Sequence, residues 1–278
     1  MAFSNFKPTL WADGVEHNFP KMNVFAALTN QNVLGNISYG NKVIINSIGE
    51  VSTSAYTGSS VSFETLNDFD LEIPIDQKKY FAVTVDDVDE IQSKPDVMAN
   101  AQIEIGKAVA DDPDVYIAGL YTESGLTSGT TGSPTSLTSA NIISTLGSIR
   151  DQLRDNKVRD DLVAVVPPWF LTKIDYSRII RDTNNSAILT AGYVGRYMGF
   201  DLYESDNIQH SGSTWYSPMF FAKNKTIGFG MQMEKIEAGR HENTFGDYIK
   251  GLMVYGAKTY RPDAQLTLYC ANGAESAI

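Results

Sequence analysis

The feature that most constrains this chain is a run of 25 residues, Asn46 to Asp70, without a single Lys or Arg, in which Glu50, Glu64, Asp68 and Asp70 are acidic. Val43-Ile44-Ile45 precedes it and Phe81-Ala82-Val83-Thr84-Val85 follows it, with a middle rich in Ser, Thr and Gly. Apolar β-branched runs around a polar, turn-rich centre predict a long hairpin over Lys42 to Val85. At about 12 residues per arm and roughly 3.3 Å per residue, such a hairpin reaches about 40 Å from its base. It is too long and too polar to be buried in its own domain, and protruding segments of this size are uncommon in compact domains unless they serve a function. A flexible surface hairpin is the plainer alternative.

Composition bounds what the hairpin can be attached to. With 278 residues and 42% hydrophobic content, the chain can bury one large core or two modest ones. No window approaches the roughly 18 consecutive apolar residues of a membrane span, and the N-terminus has no signal-peptide pattern, so folding in the cytoplasm and no membrane partner are expected. The single cysteine, Cys270, has no internal partner and reads as a buried thiol in the strand-like run Gln265 to Cys270. The net charge of −11 repels phosphate and argues against sequence-specific DNA binding. It is compatible with a container that does not grip its cargo. Like-charged copies should also associate more readily as salt shortens the screening length to about 8 Å or less.

The first 40 residues place Phe3, Phe6, Trp11, Phe19, Phe25, Leu28 and Leu34 among Pro8, Gly14 and Pro20, which reads as an extended arm with apolar anchors. Those anchors must dock either on the chain's own core or on a neighbour. After the hairpin, Ser93-Lys94-Pro95-Asp96 supplies an N-cap, an early proline and an acid. Val97, Ala101, Ile105 and Ala108 then follow at helical spacing, and Asp111-Asp112-Pro113 is expected to end a helix of about 18 residues, near 27 Å long.

A Gly-, Ser- and Thr-rich stretch from Thr122 to Ser139 marks a soft boundary. A second helix shows Ile142, Leu146, Ile149 and Leu153 on one face, with Arg150, Arg154, Lys157 and Arg159 at its basic end. Cations suit a helix C-terminus, and they could equally receive an acidic element from a neighbouring subunit. Leu162 to Val166 reads as a buried strand closed by Pro167-Pro168, with a helix around Trp169 to Ile179.

Catalytic constellations are hard to build from these residues. His17, His210 and His241 stand in three separate contexts without a metal-ligand spacing, no G-x-S-x-G is present, and Gly228-Phe229-Gly230 lacks the third glycine of a dinucleotide fingerprint. The acidic clusters Asp86 to Glu90 and Asp111 to Asp114 read as solvated turns. No metal, cofactor or catalytic residue is expected. His241, between Arg240 and Glu242, reads as part of an interface ion-pair network.

The last third carries a resemblance. Gly192 to Ile208 (GYVGRYMGFDLYESDNI) leads through a β-rich segment, with Gly239-Arg240-His241-Glu242 and Phe245-Gly246-Asp247, into Gly251 to Ala264 (GLMVYGAKTYRPDA). Together with the strand, proline, helix order before them, these segments resemble the tailed-bacteriophage major capsid proteins of the Hong Kong 97-type fold.

The resemblance implies an α+β architecture: an N-terminal arm over 1–40, an extended loop over 41–85, a peripheral domain with a spine helix and long sheet over 86–135 and 231–278, and a mixed axial domain over 136–230. It implies self-assembly into pentamers and hexamers of an icosahedral virion shell around double-stranded DNA, with separate scaffolding, portal and decoration proteins. The contacts expected between subunits are Glu50, Tyr56, Phe63, Glu64, Asp68 and Asp70 of the hairpin, Arg150, Arg154 and Arg159 of the second helix, and Arg240 and Arg261. The loop interior has no lysine, so the covalent cross-link of some family members is not expected. An encapsulin-like protein compartment, and a monomeric acidic hydrolase or binding protein with a lid at 46–70, are the alternatives.

Overall fold

A computed structural model describes residues 24–31, 42–48, 68–86, 97–177, 193–212, 214–240 and 246–274. A short helix α1 (Phe25–Leu28) is followed by strands β1 (Lys42–Ile48), β2 (Asp68–Pro74) and β3 (Gln77–Asp86), then by helix α2 (Val97–Ala118), which runs into a 3-10 turn at Gly119–Glu123. Strands β4 (Leu126–Ser128) and β5 (Thr135–Leu137) lead to helix α3 (Ile142–Asp155), strand β6 (Leu162–Val166) and helix α4 (Pro168–Tyr176). Strands then dominate: β7 (Tyr193–Tyr197), β8 (Phe200–Glu204), β9 (His210–Ser211), β10 (Trp215–Tyr216), β11 (Met219–Ala222), β12 (Ile227–Arg240), β13 (Gly246–Thr259), β14 (Gln265–Leu268) and β15 (Cys270–Asn272). The α+β class is as expected.

A mixed sheet of order β4-β14-β11-β6-β8-β7 forms the centre. Every residue of β6 is buried: Val163 and Val165 face one apolar cluster with Ile117, Met219 and Phe221, while Leu162, Ala164 and Val166 face another with Phe220, Leu266 and Leu268. A strand covered on both faces has no polar side to alternate with, which is why Leu162 to Val166 is a continuous apolar run. The second cluster is closed by α3, whose Ile142, Leu146, Ile149 and Leu153 are all fully buried, as their spacing predicts. Each such burial contributes roughly 2 kcal/mol before the entropy of ordering.

The end of α3 is a Schellman motif. Lys157 takes the left-handed position (φ 64°), its N–H donates to Arg154 O at 2.9 Å, and Val158 N–H donates to Leu153 O at 3.0 Å. The β7–β8 turn likewise has Met198 (φ 50°) and Gly199 (φ 90°) in its two central positions, the handedness that matches strand twist in a two-residue hairpin.

Three expectations need correction. The hairpin pairs β1 with β2, Lys42 opposite Pro74 and Ile48 opposite Asp68. Phe81 to Val85 lies instead in β3, which pairs with β13 in a sheet of order β12-β13-β3. In β2 acids alternate with apolar residues, which hid it among polar residues, and Pro74, lacking an N–H, ends its ladder before the chain turns into β3.

Helix α2 is 22 residues long, about 33 Å, and continues through Pro113. An interior proline costs about 3 kcal/mol, but the next turn buries Ile117, Ala118 and the Asp114 side chain. Asp114 is therefore no solvated turn, and Ala108 is exposed where Val109 is buried. Finally, the Thr122 to Ser139 stretch contains β4 and β5, which pair in parallel with β14 and β15.

Of the arm's anchors, Phe25 and Leu28 are buried in the subunit's own core. Phe3, Phe6, Trp11, Phe19 and Leu34, the Ser93 to Asp96 cap, Gly192 and His241 lie outside the described residues. Cys270 is fully buried, and burial pushes its thiol pKa up.

Candidate assembly surfaces

Two glycines set where the hairpin leaves the subunit. Ile73 of β2 is fully buried, and its Cδ1 lies so close to Gly228 of β12 that a Cβ there would stand 2.5 Å away. The Pro74 carbonyl lies directly over Gly256 of β13, where a Cβ would overlap its oxygen and stand 2.8 Å from Ile75 Cα. Gly228 and Gly256 thus permit close backbone approach at the pivot of the hairpin, and Gly228 belongs to packing rather than to a nucleotide fingerprint. Away from the pivot, Ile44 is 49% exposed on β1. Asp68 and Asp70 stand four and two positions before exposed Glu72, in register with Ile48 and Asn46. Glu50, Tyr56, Phe63 and Glu64 lie outside the described residues.

The expected basic contacts fall into three places. Arg150 and Arg154 are one turn apart on α3, and exposed Arg159 follows the Schellman turn. The stem of Arg150 passes over Gly199, and its Nη2 donates to Asp151 Oδ1 at 3.5 Å, while its Nε is enclosed with no hydrogen-bond partner among the described residues. Arg240 ends β12 opposite Asp247. Arg261 lies beyond the other end of that strand pair, where its N–H donates to Thr226 O at 3.3 Å. The 14-residue β12 separates Arg240 from Arg261 by about 45 Å. Both side chains are exposed.

Sequence reasoning missed a charge cluster on the three-stranded sheet. Glu237 accepts hydrogen bonds from Lys235 and, at 2.7 Å, from Lys250, its cross-strand partner. These two ammonium groups hold its carboxyl at about 2, well below the usual range. Lys250 also sits 5.5 Å over the Tyr248 ring, and Tyr80 on the neighbouring β3 is 80% exposed. Lys235 and Glu237 alternate in sequence, but only the β12–β13 register reveals that Lys250 joins them. Lys173 was also missed. This buried lysine donates to Leu137 O at 2.7 Å and Gly273 O at 2.5 Å, tying the ends of β5 and β15 to α4.

A long helix packed on a long antiparallel sheet, a projecting hairpin rooted in that sheet and a second mixed sheet are an arrangement seen in solved viral shells. The chain superimposes on a chain of Mycobacterium phage Che8 with a TM-score of 0.73 and 25% identity, covering 96% of this chain and 98% of that one. The capsid of cyanophage P-SCSP1u matches with a TM-score of 0.71 and 21% identity, over 91% of this chain and 89% of the other. A virus-like particle from Pyrococcus furiosus shares the fold at 10% identity and a TM-score of 0.57, over 94% and 96% of the two chains. The comparison with curated protein sequences gave no match.

These likenesses show the fold, that of the Hong Kong 97 type. The phage capsid protein family model matches residues 70–268, and the chain belongs to that family. It is a major capsid protein, a structural component of the virion that associates with copies of itself to form the shell, and the compartment and lid-bearing monomer readings are not favoured.

Proposed function

We propose that this subunit forms hexamers and pentamers that tile an icosahedral shell around double-stranded DNA, acting through assembly and not catalysis. The hairpin carries the contact between neighbours. The observation behind this reading is the hairpin root, where fully buried Ile73 fixes a stem whose continuation, Asn46 to Asp70, has four acids and no cation. Shell formation takes place in the host cytoplasm, with scaffolding, portal and decoration functions supplied by separate proteins. The division into an arm (1–40), an extended loop (41–85), a peripheral domain (86–135 and 231–278) and an axial domain (136–230) belongs to the same reading.

Within it, Glu50, Glu64, Asp68 and Asp70 face the basic end of α3 on the next subunit, at Arg150, Arg154 and Arg159. Tyr56 and Phe63 supply apolar contact area, and Arg240 and Arg261 serve further interfaces at the two ends of the long strand pair. Single exposed ion pairs contribute only about 0–1 kcal/mol. A chain that overlaps several neighbours links many such contacts, and linked weak contacts multiply into a stable assembly.

Charge exchange tests the pairing. Arg154→Glu with Arg159→Glu alters exposed side chains, so the subunit should fold while its critical assembly concentration rises at least about tenfold, the equivalent of 1.4 kcal/mol. Asp68→Lys with Asp70→Lys should do the same, and the four changes together should restore assembly. Light scattering against protein concentration reads each case. A combined variant no better than either pair would refute the hairpin-to-α3 contact.

A further inference from the structure

We propose that Asp114 is a proton-sensitive clasp that fixes or frees the segment 24–31 on the body of the subunit. The segment, Val-Phe-Ala-Ala-Leu-Thr-Asn-Gln, contains no charged side chain. Its C-terminal half is held by backbone bonds, with Asn30 N–H donating to Ile227 O at 2.8 Å and Asn224 N–H donating to Leu28 O at 3.0 Å. At its N-terminal end the first turn of α1 has no cap from Val24. Instead the Phe25 N–H donates to Asp114 Oδ1 at 2.7 Å, across 89 residues of sequence.

The clasp is built on a costly group. Asp114 is 2% exposed. On its own helix, Asp111 is one turn away and shares a donor with it: Asn207 Nδ2 lies 2.6 Å from Asp111 Oδ1 and 3.4 Å from Asp114 Oδ2. Asp112 points elsewhere, toward Lys79 of β3 at 4.0 Å, and Tyr116 follows on the same helix. The end of β8 and the loop after it bring Glu204, Ser205 and Asp206 close in sequence to Asn207, and the clasped segment brings no charge. Among the described residues the charge acting on Asp114 is therefore another acid.

Burial, reinforced by Asp111, raises the carboxyl from 3.8 to about 6, against the lowering by bonds from Phe25, Asn207 and Ala26. Once the segment lifts, Asp114 regains water and its ordinary value. Protons favour the state with the higher pKa, so the closed clasp is firmest below about pH 4 and weakens as pH rises through about 6. A difference between 3.8 and about 6 changes the open-to-closed ratio by on the order of a hundredfold across that window. Burial of Phe25 and Leu28 favours closure at every pH, and the proton sets how often the segment opens.

Hydrogen exchange of the full chain, followed by mass spectrometry from about pH 3.5 to about 7.5, tests this against Asp114→Asn, which keeps an acceptor and the side-chain size without the charge. Comparing both proteins at the same pH cancels the intrinsic exchange rate. Peptides covering 24–31 should exchange alike near about pH 3.5, about tenfold faster in the wild type by about pH 5, and up to about a hundredfold faster at about pH 7.5. A ratio that does not change with pH, or a wild type better protected at neutral pH, overturns the proposal. Asp111→Asn, at an exposed position, gives an independent reading that does not depend on Asp114→Asn folding. It should move the wild-type transition to lower pH, and an unmoved midpoint counts against the clasp.

Discussion

Gly256→Ala is expected to lower the yield of assembled particles at least tenfold while leaving a folded subunit. The added methyl would meet the Pro74 carbonyl and Ile75 Cα, backbone atoms that cannot rotate away as a side chain can. The corner between β2 and β3 must shift, at a cost of about 1–3 kcal/mol, which a core of this size can absorb. The consequence for assembly is larger, because a tilt at the root is magnified along the paired strands β1 and β2, seven residues each and about 23 Å long. Gly132→Ala is the control, since a Cβ there meets nothing within 4 Å. Thermal unfolding and particle counts by electron microscopy separate the two effects. Normal particle yield from Gly256→Ala would show that the root does not aim the hairpin.

Lys173→Met should destabilise the subunit by about 2–4 kcal/mol in urea unfolding. The change keeps much of the side-chain length but removes the ammonium donor from the Gly273 carbonyl and one of two donors from the Leu137 carbonyl, which keeps the Gly273 N–H at 2.9 Å, and an enclosed acceptor left unmet costs about 1–3 kcal/mol. It also removes the cation 5.8 Å above the Trp169 ring. Lys225→Met offers the contrast, because its 3.1 Å bridge to Asp161 is half exposed on both sides and should matter by less than about 0.5 kcal/mol. Similar losses from the two variants would mean that Lys173 does not clamp the C-terminal strands.

The contrast between these two lysines shows what could be read in the sequence. Where burial is one-sided and local, the pattern was legible: Ile142, Leu146, Ile149 and Leu153 declare a helix face, and Leu162 to Val166 declares a strand covered on both sides. Pairing between distant strands was not legible. Phe81 to Val85 looked like the returning arm of the hairpin because nothing local reveals that Gly251 of β13 offers a flat seat for the Phe81 ring.

Proline misled for a related reason, since the intrinsic penalty at Pro113 was visible while the tertiary burial of Ile117 and Asp114 that outweighs it was not. The polar groups with the clearest structural roles, Lys173 and Asp114, make hydrogen bonds to residues 36 to 100 positions away. Of the candidate contacts, Arg154, Arg159, Arg240 and Arg261 are exposed as an interface requires, but their grouping into three separate places depended on strand register.

Sedimentation velocity of the purified chain across salt, pH and concentration, with negative-stain microscopy of any fast fraction, tests shell formation most directly. The account predicts hexamers, pentamers, tubes or closed shells, in amounts that increase as salt approaches and passes physiological strength and screens the net charge of −11. A chain that remains monomeric under all these conditions, even with scaffolding protein added, would contradict it.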